Sequence, residues 1–87
     1  MMRTPAIIKA DRTIEPFDPA RLTASLVRAG AGTHTAERIA ENITATIVPG
    51  TSSKEVYRRA FALLRKEEGR PVAARYALRR ALLEFGP

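Results

Sequence analysis

Apolar positions follow two rhythms along the chain. Between Ala6 and Phe17 they fall in short runs of the kind that pleated strands carry, and from Leu22 onward they recur at three- and four-residue spacing, the period of a helix face. The first region predicts a strand over Ala6 to Lys9 and a second over Thr13 to Phe17, with Pro16 marking an edge position. Asp11 and Arg12 lie between them and predict a tight hairpin. Arginine is a poor choice where such turns need positive φ, so the turn type stays open.

The second rhythm predicts four helices. Asp18 reads as an N-cap and Pro19 as the first helical residue, with Phe17 and Leu22 at the two positions of a hydrophobic staple. Leu22, Leu26 and Ala29 continue one stripe until Gly30-Ala31-Gly32 ends it. A second helix is expected from about Thr35 to Ile47, with Ala36, Ile39, Ala40, Ile43 and Ile47 on one face and Pro49-Gly50 stopping it. Ser52 and Glu55 form a capping-box pattern ahead of a third helix, whose buried face reads as Val56, Ala60, Leu63 and Leu64, widened by Tyr57 and Phe61, and which Gly69 closes. Pro71 opens a fourth, in which Ala74, Leu78, Ala81, Leu82 and Phe85 line one side and Arg75, Arg79 and Arg80 fall largely elsewhere.

A lone hairpin is marginal in water, so it must pack on the helices. The expected fold is therefore mainly α with a small β element: a four-helix bundle capped by a hairpin. A further short strand near Ile47 to Thr51 would make the sheet three-stranded, although Pro49 interrupts it. The 87 residues suit a single domain spanning 1–87, with a modest core.

Composition narrows the chemistry. There is no cysteine, which removes disulfides and thiolate metal sites, and the single histidine, His34, argues against zinc. No apolar run approaches the ~20 residues of a membrane span, and the N-terminus lacks a signal peptide's apolar core, so a cytoplasmic location is the default expectation. The net charge is +6. Lys54 to Arg80 accounts for all of it, with nine basic residues (Lys54, Arg58, Arg59, Arg65, Lys66, Arg70, Arg75, Arg79, Arg80) against Glu55, Glu67 and Glu68. Such a segment suits an anionic partner (a nucleotide, a nucleic acid or an acidic protein), and equally suits a solvated arginine-rich face.

Nucleophile elbow, Walker-type loop, zinc spacing and dinucleotide fingerprint are all missing, so the chain reads as a binding module. The stretch "IIKADRTIEPFDPARL" holds the best anion site. Lys9 suits phosphate as a point charge. Arg21 falls at N3, beside a helix N-terminus that favours negative charge. Glu15 suits an amino group or a ribose hydroxyl, and a plain cross-strand Lys9–Glu15 pair is the bland alternative.

Three segments carry a resemblance to a known family. They are "IIKADRTIEPFDPARL", "GTSSKEVYRRAF" and "PVAARYALRRALLEF", in that order and covering nearly the whole chain. The chain resembles the ATP-cone, the regulatory nucleotide-binding domain at the front of many ribonucleotide reductases and in their bacterial transcriptional repressor. The resemblance implies a bundle capped by a small sheet, with ATP or dATP, with or without Mg2+, between sheet and helices. It implies that Ile7 meets the adenine and Lys9 the phosphates, that Glu15 and Asp18 line the nucleotide, and that Arg21 and Leu22 stand for a Lys-Ile pair with Arg21 as a phosphate ligand. Ser53 and Tyr57 match a hydroxyl and a ring-bearing residue suited to sugar and base. Two positions depart from the family pattern: Ala10 replaces an arginine and Arg12 the turn glycine. Arg12 is expected to restore the charge that Ala10 lacks.

The segment from Tyr57 to the end is similar to ATP-cones that precede a restriction-endonuclease-like domain. The expectation is thus an N-terminal piece of a longer protein, with a downstream domain as one partner and a second copy of the chain as another. The leading reading is a non-catalytic allosteric sensor of ATP or dATP. The alternatives are a basic helical module binding nucleic acid weakly and without sequence preference, and a degenerate ATP-cone used only for assembly.

Overall fold

The computed structural model describes residues 5–9 and 11–85, with side chains as far as Leu82. Its elements run β1 (Ala6–Ile8), β2 (Ile14–Pro16), α1 (Pro19–Arg28), α2 (Thr33–Thr46), β3 (Thr51–Ser52), α3 (Ser53–Glu68) and α4 (Arg70–Phe85). Four helices and a three-stranded sheet match the expected class.

The sheet order is β2-β1-β3, with β1 antiparallel to β2 and parallel to β3. Pro16 lies on an edge strand, where its missing N–H costs no ladder bond. The third strand begins beyond Pro49, at Thr51, and Gly50 N donates to the Ala6 carbonyl at 2.9 Å to bring it alongside β1. At the hairpin turn Arg12 adopts φ 70°, the left-handed region that a glycine would enter without strain. The Asp11 carboxylate steadies this turn by accepting from Thr13 N (3.0 Å) and Thr13 Oγ1 (2.6 Å), which holds its pKa below the ordinary value. Ala10, the other departure from the family pattern, lies outside the described residues.

Helix ends follow the sequence signals. Asp18 Oδ1 accepts from Ala20 N at 3.0 Å and Arg21 N at 3.4 Å, and Phe17 and Leu22 are both buried. Ser52 Oγ accepts from Glu55 N at 3.1 Å, but the Glu55 carboxylate turns to Arg58 and Arg59 rather than completing a capping box. The α1 helix ends in a Schellman motif: Ala31 N donates to Leu26 O (3.1 Å) and Gly30 N to Val27 O (2.9 Å), with Gly30 at φ 108°. The α2 helix starts two residues earlier than expected, at Thr33, with Gly32 as a cap that has no side chain to offer. Glu68, at the end of α3, receives the Gly32 N–H at 3.0 Å and places a negative charge at that helix start.

Helices pack in chain order, α1 on α2, α2 on α3 and α3 on α4. The core threads this row through Leu26, Ala36, Ile43, Val56, Ala60, Leu64 and Tyr76. The expected faces of the first three helices are the ones buried, with Leu63, Tyr57 and Phe61 partly buried against the core. The fourth differs. Leu78 and Leu82 are 61% and 62% exposed, and Ala74 is also exposed, while Ala73 and Tyr76 are 1% exposed. The side chain of Phe85 lies outside the described residues. The α4 helix therefore presents Val72, Ala73, Tyr76 and Arg80 inward, a face shifted from the all-aliphatic stripe that the spacing favours. Being last in the row, α4 packs chiefly on α3, and among the described residues no comparable interface joins it to α1. The gap between α1 and α4, roofed by the sheet, is the cavity described next.

Candidate functional site

Register fixes which residues meet under the sheet. Ile7 pairs with Glu15 on β2 and with Thr51 on β3, and alternation sends their neighbours Ile8 and Ile14 outward, 36% and 70% exposed. Ile7 and Glu15 therefore face the helices, and both line a cavity of about 860 Å³. That size lies within the usual range for small-molecule sites, roughly 300–1,000 Å³. The α1 helix supplies one wall with Arg21, Leu22, Ser25 and Arg28, spaced four and seven residues along one face. Ser53, Val56 and Tyr57 come from α3, and Tyr76, Arg79 and Arg80 from α4.

Of the nine residues singled out in the sequence, eight line this cavity: Ile7, Lys9, Glu15, Asp18, Arg21, Leu22, Ser53 and Tyr57. Arg12 does not. It stands exposed at the hairpin turn, and Asp11 is the turn residue that reaches the cavity wall. Lys9 Nζ and Glu15 Oε1 are 3.8 Å apart, with about two-fifths of each side chain exposed. So loose and solvated a pair is worth a few tenths of a kcal/mol at most and leaves the Lys9 donors available. Asp18 spends one carboxylate oxygen on the helix cap and keeps the other.

The α4 wall was not singled out from the sequence. Tyr76 is 1% exposed, with its hydroxyl beside Ser25 on the cavity wall. Burial pushes that phenol well above its ordinary pKa, opposed mainly by the nearby Arg80 charge and slightly by a hydrogen bond with Ser25, whose hydroxyl donates to the Leu22 carbonyl at 2.9 Å and whose oxygen is left to accept. Tyr76 is thus a neutral, protonated donor. Arg80 stacks on the Tyr57 ring, 3.5 Å from its centroid, and its buried Nε–H has no partner among the described residues. Tyr76 and Arg80 are four apart on one helix face. The signal was present in the Val-Ala-x-x-Tyr pattern of "PVAARYALRRALLEF", but the aliphatic stripe outweighed it. Arg28 also reads as a cation suited to a helix C-terminus, which hid its place on the cavity wall.

Five of the nine cations in the basic segment have tasks of their own. Arg58 and Arg59 grip Glu55 at 2.8 and 2.9 Å, Arg75 Nε donates to the Ala29 carbonyl at 3.1 Å, and Arg79 and Arg80 line the cavity. Its three acidic residues are engaged too, since Glu67 pairs with Arg38 at 2.8 Å and Glu68 braces Gly32.

A cavity with cations from the hairpin, α1 and α4, a stacked ring and an unspent Arg80 Nε–H fits a compact anionic ligand with a flat apolar part. Comparison with curated proteins finds no match. Comparison with family profiles finds the ATP cone domain, matched over residues 5–84. Domains of this kind are regulatory, are not themselves catalytic and generally bind adenine nucleotides. With nearly its whole length matched and the fold in agreement, the chain belongs to the ATP-cone family.

Proposed function

We propose that the chain is an allosteric sensor of ATP or dATP, with the nucleotide held between the sheet and the helices. The observation that carries this reading is the cavity under the sheet, where Lys9, Glu15 and Ile7 from the hairpin face Arg21 and Leu22 of α1 and Ser53 and Tyr57 of α3. Ile7 and Tyr57 offer apolar and aromatic surface to the base, and Ser53 a hydroxyl to the sugar. Lys9 and Arg21 offer charge to the phosphates. Glu15 and the free oxygen of Asp18 accept from amino or hydroxyl groups. A bound nucleotide ties the hairpin to the start of α1, and any shift it causes in an interface with a downstream domain or a second copy requires unequal affinity for the two states.

The test is a calorimetric titration of ATP, dATP and adenosine against Lys9→Ala and Glu15→Gln. Losing a charge-assisted hydrogen bond to phosphate costs roughly 1.5–3 kcal/mol, or about ten- to a hundredfold in affinity. Lys9→Ala should weaken ATP by that factor and leave adenosine unchanged. Glu15→Gln should weaken both alike. Unaltered ATP affinity in Lys9→Ala, with the fold intact by circular dichroism, would leave the charged hairpin as ordinary surface.

A further inference from the structure

The outer side of α4 is apolar as well as the inner one. Ala74, Leu78 and Leu82 follow one another at four-residue spacing and are exposed, the two leucines by 61% and 62%. On the other side Val72, Ala73 and Tyr76 pack inward. A helix that is apolar on both sides is usually covered on both. The stripe begins at a second cavity, of about 250 Å³, which Phe61 and Arg65 of α3 enclose together with Arg70, Ala73 and Ala74 of α4. Its lining is apolar except for the two guanidinium groups, and neither Arg65 nor Arg70 has an ion-pair partner among the described residues. The nearby acids, Glu67 and Glu68, are engaged with Arg38 and Gly32. Arg75 and Arg79 each follow a stripe residue in sequence, which sets them along one flank, about 100° round the helix.

We propose that this outer face of α4 docks an acidic amphipathic helix of a partner protein. One apolar side chain of that helix fills the cavity beside Ala74, and others at three- and four-residue spacing cover Leu78 and Leu82. Its carboxylates meet Arg65 and Arg70. The contact from Arg70 to Leu82 runs about 18 Å along α4, so the partner needs a little over three turns. Charge complementarity selects this occupant. A second copy presenting the same face would set arginines against arginines. Nucleic acid would satisfy the arginines but leave the leucines without an apolar partner. Phe61, Arg65, Arg70, Leu78 and Leu82 do not line the cavity under the sheet, so the proposal stands apart from the nucleotide reading.

The test uses the full chain and a labelled synthetic helix of about 16 residues, long enough to hold its shape. The peptide carries leucines at three- and four-residue spacing with glutamates on both flanks, and a control carries lysines in place of the glutamates. Fluorescence anisotropy should show the acidic peptide binding about tenfold or more tighter than the control. Leu78→Gln keeps a good helix former and should weaken the acidic peptide about tenfold, the loss of a central apolar anchor. Arg65→Gln with Arg70→Gln should weaken it similarly and flatten its dependence on salt. Circular dichroism checks each fold, and Leu82→Gln repeats the apolar test at the other end of the stripe. Equal binding of the lysine control, or wild-type affinity in both Leu78→Gln and Leu82→Gln, overturns the proposal. Binding of a short DNA duplex in place of the peptide, lost when Arg65 and Arg70 are changed, overturns it in favour of nucleic acid. Self-association of the wild type by sedimentation, lost in Leu78→Gln, gives the face to a second copy and overturns it as well.

Discussion

Arg75 and Arg80 stand on the same helix in contrasting surroundings. Arg75 reaches across to the end of α1, where its Nε donates to the Ala29 carbonyl at 3.1 Å and its guanidinium covers Gly30. Close by, Glu68 takes the Gly32 N–H, so the α1–α2 connection is held from both α3 and α4. Arg80 instead stacks on Tyr57 beside the cavity, with its Nε unpartnered among the described residues. One corner of the molecule is saturated, and the other keeps capacity in reserve. Similar side chains therefore stand differently: the first spends its Nε–H on the fold, and the second leaves its own unspent at the cavity wall.

The largest expected effect tests the saturated corner. A Cβ on Gly30 would lie 2.9 Å from Arg75 Nη2, on a backbone at φ 108°. Gly30→Ala should destabilise by roughly 2–3 kcal/mol, combining the left-handed penalty with displacement of Arg75 from its carbonyl. Gly50 provides the control, because its φ is 88° and an added Cβ meets nothing within 4 Å. Gly50→Ala should then show only the backbone cost, roughly 1–2 kcal/mol. Urea unfolding of both variants reads the difference, and equal losses would mean that Arg75 yields without cost.

A smaller effect separates the two arginines directly. Arg75→Ala removes a satisfied bond and should cost about 1 kcal/mol. Arg80→Ala removes a partly exposed cation–π contact of about 0.5–1 kcal/mol, but also a buried donor that had no partner, so the net change should stay within about 0.5 kcal/mol. Urea midpoints measured in the absence of nucleotide decide it. If Arg80→Ala proves as damaging as Arg75→Ala, the reserve assigned to the cavity corner is instead structural.

The same contrast explains what was legible in the sequence. Caps and staples are local: Asp18, Pro19, Ser52 and Gly30 declared the helix ends because each acts within a turn of its own position. The faces of the first three helices were legible because each has a packed neighbour on its apolar stripe. The fourth was not. Ala74, Leu78 and Leu82 satisfy the helical period, yet α4 is last in the row and turns Ala73 and Tyr76 inward, which leaves the leucines in solvent. Periodicity cannot choose between two overlapping faces when one of them carries an arginine directed at a cavity. The hairpin and first-helix residues around the cavity were legible through their charge pattern and order. Tyr76 and Arg80 were not, because the burial of one and the unpartnered Nε–H of the other exist only once the fold has set their neighbours.

The smallest expected effect concerns a second pair of arginines, satisfied on the surface rather than in the α1–α2 corner. Glu55 accepts from Arg58 Nε and Nη2 at 2.9 and 2.8 Å and from Arg59 Nε at 2.9 Å, and these bonds lower its pKa from 4.5 to about 2. A carboxylate with a depressed folded pKa contributes stability that is fully present above the unfolded value and is lost as pH falls through the folded one. The window for Glu55 therefore runs from about pH 4.5 down to about pH 2. The site is solvated, so water and salt screen the contribution and it should be small. Urea midpoints of the wild type and Glu55→Gln should differ slightly at pH 7 and converge as pH approaches 2. A gap that stays constant over this range would mean that the arginine contacts do not depend on the Glu55 charge, leaving the corner at Gly30 as the place where an α3 or α4 arginine stabilises the free chain.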